Sequence, residues 1–274
     1  GNQLQALKLD GRTVTEEVLY SSEISKQITD GKKYRVVTRK DNVTFSIELW
    51  DLTTGEEISK LLFKGWNCGT QQWCYGFSWK DGINPPKIHN FAVYEPKEPF
   101  CIYSGDSITE GSGMTNDMEN RYAELARKSS KNSVICAAGS ALIDDVLSMF
   151  NSEFSKTKPK NLCVTIGTNN AGSEESLLSK YQEIKQKADE IGTNLILNHI
   201  PIMVSNPTGC VRRNNEISQI GVDSCRFDLA TSINNDPSQG GNSSLYTDGT
   251  HPNYGGSIAM SNRMKLDVPY LFSH

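Results

Sequence analysis

The sequence predicts an α/β protein in two parts: a small all-β region over residues 1–95, then a parallel sheet covered by helices over residues 96–274. Three observations carry that prediction. Residues 33–63 are rich in Val, Tyr, Phe, Ile and Thr with a period near two, the pattern of half-buried strands. From residue 100 onward, short apolar runs alternate with amphipathic stretches of helical period. Between the two lies Glu95-Pro96-Lys97-Glu98-Pro99, a Pro-rich polar link of the kind that joins domains.

In the first part, residues 33–40 and 43–51 read as strands joined at Asp41-Asn42. Phe45, Ile47 and Leu49 fall on one face, with Ser46 and Glu48 on the other. Thr53-Thr54-Gly55-Glu56 is a second turn, before a strand at 58–63. A further strand is expected at 88–94, where Asn84-Pro85-Pro86 excludes helix just upstream. Residues 16–26 carry the only helix-like spacing of this part, and that spacing is weak. A small β-sandwich is the natural outcome.

In the second part, strands are expected near 100–104, 134–137, 162–166, 194–199 and 222–227. Helices are expected near 120–129, 143–153, 174–191 and 211–220, with a last one after Tyr254. Leu177, Leu178, Tyr181, Ile184, Ala188 and Ile191 follow the three-and-four spacing of a buried stripe. The strands are apolar without alternation, as in a parallel sheet buried on both faces.

Lys plus Arg number 28 and Asp plus Glu 32, a formal net charge of −4, which speaks against a nucleic-acid partner. No apolar run approaches the ~18 residues of a membrane span. The seven Cys divide by context. Cys101, Cys136 and Cys163 sit in apolar runs and read as buried free thiols. Cys68 and Cys74, in a Gly- and Trp-rich loop, are expected to be bridged, and Cys210 with Cys225 is a second candidate pair. No Cys/His spacing suggests zinc. A bridged loop pair implies an oxidising compartment. The expected location is therefore the periplasm, the cell surface or outside the cell, the leader being absent from a chain that begins at Gly1.

Four short motifs bear chemistry. Gly105-Asp106-Ser107 directly follows the first strand of the second part, and ligands of parallel sheets bind at the carboxyl ends of strands. It is not a G-x-S-x-G elbow, because Thr109 stands where that motif has glycine. Asp248-Gly249-Thr250-His251 places a carboxylate three residues before a histidine, so that one turn could join base and orienting acid. Of the four His, His274 is terminal and His89 falls in the β region. His199 lacks an adjacent carboxylate, which favours a structural or rim role for it. Ala138-Gly139-Ser140 and Gly167-Thr168-Asn169-Asn170 each follow a strand and offer hydrogen-bond donors for an oxyanion.

In order and content these four blocks resemble the SGNH hydrolases, also called the GDSL esterase/lipase family, over roughly residues 100–263. The resemblance implies a three-layer α/β/α (flavodoxin-like) hydrolase domain. It further implies Ser107 as nucleophile, His251 as base and Asp248 as the residue that orients it. The oxyanion hole it implies is the Ser107 N–H, the Gly139 N–H and the Asn169 side chain. One departure is visible: the third block of the family reads Gly-x-Asn-Asp, and Asn170 stands at its last position. The family chemistry needs no cofactor and no metal. The appended β region resembles that of bacterial carbohydrate acetylesterases, so the expected substrate is an O-acyl, first an O-acetyl, ester on a small carbohydrate or a polysaccharide. A short-chain lipid or aryl esterase, lysophospholipase-like, is the alternative. A carbohydrate-binding protein of weak activity is a second. Trp66, Trp73 and Trp79, with Tyr75 and Phe77, read as packing residues ahead of a sugar-stacking surface. Arg121 reads as a surface ion-pair residue ahead of a substrate contact. Oligomeric state is not legible.

Overall fold

The computed structural model describes residues 3–9, 16–26, 28–29, 32–41, 44–64, 98–114, 120–130 and 132–272. The Trp-rich loop, the expected Cys68–Cys74 bridge, His89, the strand at 88–94 and His274 lie outside the described residues.

Five antiparallel strands are described in the first part. β1 (Gln3–Leu9) pairs with β2 (Glu16–Glu23). β3 (Tyr34–Asp41), β4 (Thr44–Asp51) and β5 (Glu56–Lys64) form a second sheet in that order. The weak helical expectation at 16–26 is corrected: pairing with β1 overrides the local spacing, as it can wherever a ladder supplies the backbone bonds. Ser46 and Glu48, on the expected polar face of β4, are buried. Lys60 lies 3.7 Å from Glu48 Oε1 and 3.9 Å from Glu124 Oε1, so this face meets the second part through charge.

The second part is built on four parallel strands: β6 (Cys101–Gly105), β7 (Ser133–Ala137), β8 (Asn161–Thr165) and β9 (Asn194–Leu197). Their order is β7-β6-β8-β9. The fifth expected strand, 222–227, shrinks to one parallel bridge, Asp223 to Ile196. The Asp223 and Cys225 carbonyls still accept the Leu197 and His199 N–H groups at 2.9 and 3.1 Å, but side chains take the N–H groups of the segment: Asn198 Oδ1 accepts that of Cys225 at 3.1 Å and Asp267 Oδ2 that of Arg226 at 2.7 Å. Around the sheet run α1 (Ser107–Glu110), α2 (Tyr122–Ser129), α3 (Ile143–Met149), α4 (Ser155–Thr157), α5 (Leu178–Glu190), α6 (Pro207–Ser218), α7 (Phe227–Thr231) and α8 (Tyr254–Asp267). A π-helical turn, Phe150–Phe154, joins α3 to α4. α6 begins earlier than its apolar spacing suggests, because Asn206 caps it, accepting the Gly209 N–H, with Pro207 in the first turn.

Alternation along the strands sorts the side chains into two cores. Ile102, Leu162, Val164, Leu195 and Leu197 pack with α3 and α5, where Leu177, Tyr181, Ile184 and Ala188 meet them as the stripe predicts. Cys101, Tyr103, Cys163 and Ile196 face the opposite way, onto Tyr122 and Ala126 of α2 and Met260 and Met264 of α8. β6 and β8 are buried at every position. Cys210 and Cys225 are both free thiols in different cores, which corrects the second candidate bridge.

Candidate active site

The strand order reverses between β6 and β8, and the loops that leave the carboxyl ends of the strands there form the crevice where doubly wound sheets bind ligands. Gly105 ends β6 so close to β8 that a Cβ would overlap the Thr165 carbonyl and the Thr109 hydroxyl. Asp106 then caps α1, its Oδ1 accepting the Ile108 N–H at 3.0 Å. Ser107 is therefore the first residue of a helix, and first-turn N–H groups have no acceptor within their own helix.

The loop 246–252 is closed by Thr247 N–H donating to the His251 carbonyl at 2.9 Å, with Gly249 in the left-handed region at φ 83°. Within it Asp248 Oδ2 lies 2.7 Å from His251 Nδ1. Burial works against the Asp248 charge, but hydrogen bonds from the His251 ring and from the His251 and Thr250 N–H groups outweigh it and hold the carboxyl at about 2. Across 144 residues of sequence, His251 Nε2 lies 3.0 Å from Ser107 Oγ. The structure thus brings Ser107, His251 and Asp248 into one hydrogen-bonded row. Ser107 is 6 % exposed, the His251 side chain 24 % and that of Asp248 54 %.

The expected donors stand at the neighbouring strand ends. The Ala138 N–H donates to the Gly105 carbonyl at 3.1 Å, which sets the Gly139 turn beside α1. Asn169 Nδ2 donates to the Ala141 carbonyl at 2.9 Å, so one amide hydrogen ties the β8 loop to the β7 loop and the second stays available. At the departure from the family pattern, the Asn170 carbonyl accepts from Arg213 Nε at 3.3 Å and Nη2 at 2.9 Å.

The chain matches solved structures at low sequence identity, over about two thirds of its length. TesA matches with TM-score 0.53 at 16 % identity, over 62 % of this chain and 98 % of that one. A member of the lipolytic protein G-D-S-L family from Veillonella parvula DSM 2008 matches at 0.50 and 15 %, over 62 % and 98 %. A catalytic mutant of an acetylxylan esterase from Geobacillus stearothermophilus matches at 0.51 and 12 %, over 66 % and 99 %. The fold is that of the SGNH hydrolases. No protein-family model and no curated protein matches the chain.

On this SGNH scaffold the structure shows a second Ser-His-Asp row. His199 Nδ1 lies 3.1 Å from Asp228 Oδ2, and His199 Nε2 lies 3.0 Å from Ser218 Oγ. The expectation that His199 lacks a carboxylate is corrected: its partner is 29 residues downstream, and no local spacing signals it. Burial opposes the Asp228 charge, yet His199 and Arg226 hold the carboxyl at about 2. The two rows differ in setting. Ser218 is the last residue of α6 and donates to the Asn214 carbonyl at 2.9 Å, the habit of a helical serine. Ser107 opens a helix at a strand end, beside donors from two further strand ends.

Arg121 keeps an ion pair, its Nη2 3.9 Å from Glu124 Oε2, but a buried one, which corrects its expected place on the surface. It is 1 % exposed, and its Nη1 donates to the Glu110 carbonyl at 2.8 Å behind the Ser107 helix. Below it, the Tyr122 hydroxyl joins Thr109 Oγ1 at 2.8 Å and Thr165 Oγ1 at 2.9 Å, a buried brace between α1 and β8. Among the described residues no group of three or more His, Cys, Asp or Glu is placed to hold a metal ion, and no helix is long and apolar enough to cross a membrane.

Proposed function

We propose that this protein is a serine esterase that removes O-acyl groups, O-acetyl in the first place, from carbohydrate. One observation carries the chemistry: the Ser107–His251–Asp248 row at the point where the strand order reverses. His251 Nε2 takes the Ser107 Oγ proton while Asp248 holds the ring and supports its positive charge. The Oγ lone pair attacks the ester carbonyl carbon, and the carbonyl oxygen becomes an oxyanion facing the Ser107 N–H, the Gly139 N–H and the Asn169 amide. Collapse breaks the bond to the alcohol oxygen, which receives the proton from His251, and leaves an acyl group on Ser107. Water then loses a proton to His251 and attacks the acyl carbon; the bond from that carbon to Ser107 Oγ breaks, Oγ takes the proton back from His251, and the acid leaves.

The carbohydrate half of the proposal is supported by the shared fold with an acetylxylan esterase and by the β region before the hydrolase domain. We assign residues 1–95 to that β-sandwich domain and residues 96–274 to the SGNH domain. Acetate release from acetylated xylan by the native protein, absent in Ser107→Ala, supports the proposal. Hydrolysis of p-nitrophenyl acetate with no release from any acetylated polysaccharide overturns its carbohydrate half.

A second substrate class is favoured by Leu142 and Val204, exposed apolar side chains. Leu142 follows Ala141, whose carbonyl holds Asn169, and the Val204 N–H donates to the Gly249 carbonyl beside Asp248. These residues suit a short-chain lipid or aryl ester, and a rate that rises from acetyl to hexanoyl esters selects that class. Secretion is proposed on the Cys68–Cys74 bridge. Alkylation of unreduced protein at five thiols supports it, and alkylation at all seven removes it.

A further inference from the structure

We propose that Asp106 is a positioning residue whose buried carboxyl ties the Ser107 turn to the Asn169 loop, keeping nucleophile and oxyanion donor in one register. The proposal rests on the roles given above to Ser107 and Asn169.

Asp106 sits between the two loops. It is wholly buried, and its Oδ1 is occupied by the Ile108 N–H at 3.0 Å, the bond that starts α1. Thr168, the residue before Asn169, lies near enough that its backbone N–H and hydroxyl both favour the charge of the same carboxyl. Asp106 Oδ2 and Thr168 Oγ1 are both buried, and neither has closed a hydrogen bond. Buried polar atoms left open in this way are few in native proteins and call for an explanation. Hydrogen bonds of unliganded active sites are often long and tighten only as the reacting complex forms.

The cap alone does not explain the residue type, because Ser and Asn cap a helix as well as Asp. A carboxylate differs in its second acceptor oxygen, which can meet both the N–H and the hydroxyl of Thr168, where an Asn amide would set its own N–H groups against the Thr168 backbone N–H. Burial raises the carboxyl to about 6 against the Ile108 and Thr168 donors and the attraction of His251. The ionised carboxyl is an acceptor only, so the Thr168 hydroxyl is the donor when that bond closes. Asn169 already gives one amide hydrogen to Ala141, so the direction of its other hydrogen follows the backbone that Thr168 holds.

Asp106→Asn keeps the oxygen that caps α1 and removes the second acceptor. The expected result is a folded protein with a KM within about twofold of the native value. Its kcat should be about 10–100-fold lower, the scale of a donor displaced by less than 1 Å. In an Asn169→Ala background the same substitution should cost less than about threefold, because the donor it positions is gone. Thr168→Val should lower kcat in the same direction and lose its effect in the same background, while Thr168→Ser should restore the native kcat. This second pair answers the question even where Asp106→Asn does not fold. Equal losses in both backgrounds, or native kcat in both Asp106→Asn and Thr168→Val, overturn the proposal. Native kcat in Asn169→Ala alone is a separate outcome: it removes the oxyanion role of Asn169, and the positioning role falls with it.

Discussion

Asp248 holds His251 with both carboxylate oxygens, Oδ2 at 2.7 Å from the ring Nδ1 and Oδ1 accepting the residue's own N–H at 2.8 Å. The acid therefore fixes backbone and ring together, and Nε2 is left to face Ser107. A single turn achieves this because the two residues are three apart around Gly249. The first prediction concerns that pair. Asp248→Asn should lower kcat on p-nitrophenyl acetate by about 10²–10³-fold, less than the ~10⁴ of a fully buried triad. The side chain is half exposed, so water replaces part of what is lost. Native kcat in this variant would remove Asp248 from the mechanism.

The two Ser-His-Asp rows make opposite predictions. Ser107→Ala should cut kcat by several orders of magnitude and abolish labelling by a serine-directed phosphonate. Ser218→Ala should keep both kcat and labelling. Mass spectrometry of the labelled peptides decides, and label on Ser218 would reverse the assignment.

Asn169→Ala removes one oxyanion donor and should lower kcat about 10²–10³-fold. KM should change little, because that hydrogen bond strengthens as the oxyanion forms. Steady-state kinetics separate the two constants, and a rise confined to KM would place Asn169 in substrate binding instead.

Asp228 predicts a pH effect on stability. Its folded value of about 2 lies below the ordinary 3.8, so its contribution is fully present above about pH 4 and is lost as pH falls toward 2. Asp228→Asn should destabilise the protein by roughly 2 kcal/mol at pH 7, the linkage value of a carboxyl held about two units below its ordinary value. The gap in Tm between variant and native protein should narrow below pH 4 and close toward pH 2. Calorimetry from pH 2 to 8 checks this, and a gap independent of pH would mean that the charge of Asp228 contributes nothing.

What the sequence by itself determined is what neighbouring residues enforce on one another. The stripe from Leu177 to Ile191, the fully buried β6 and β8, the glycine before Asp106-Ser107 and the Asp248–His251 turn all follow from spacing within a few residues. Alternation and helical period act over one or two turns of chain, so such features stay legible without the fold. The tertiary structure decided what depends on sheet order and on contacts between distant segments. It placed His251 against Ser107 across 144 residues and gave His199 its carboxylate. It turned residues 16–23 into a strand by pairing them with β1, and buried Arg121 under the Ser107 helix. It ended the fifth strand early by spending Asn198 and Asp267 on its N–H groups. In each of these the deciding partner lies far along the chain. A hydrogen-bond acceptor or a neighbouring strand overrides local preference only once the fold has brought it within about 3 Å.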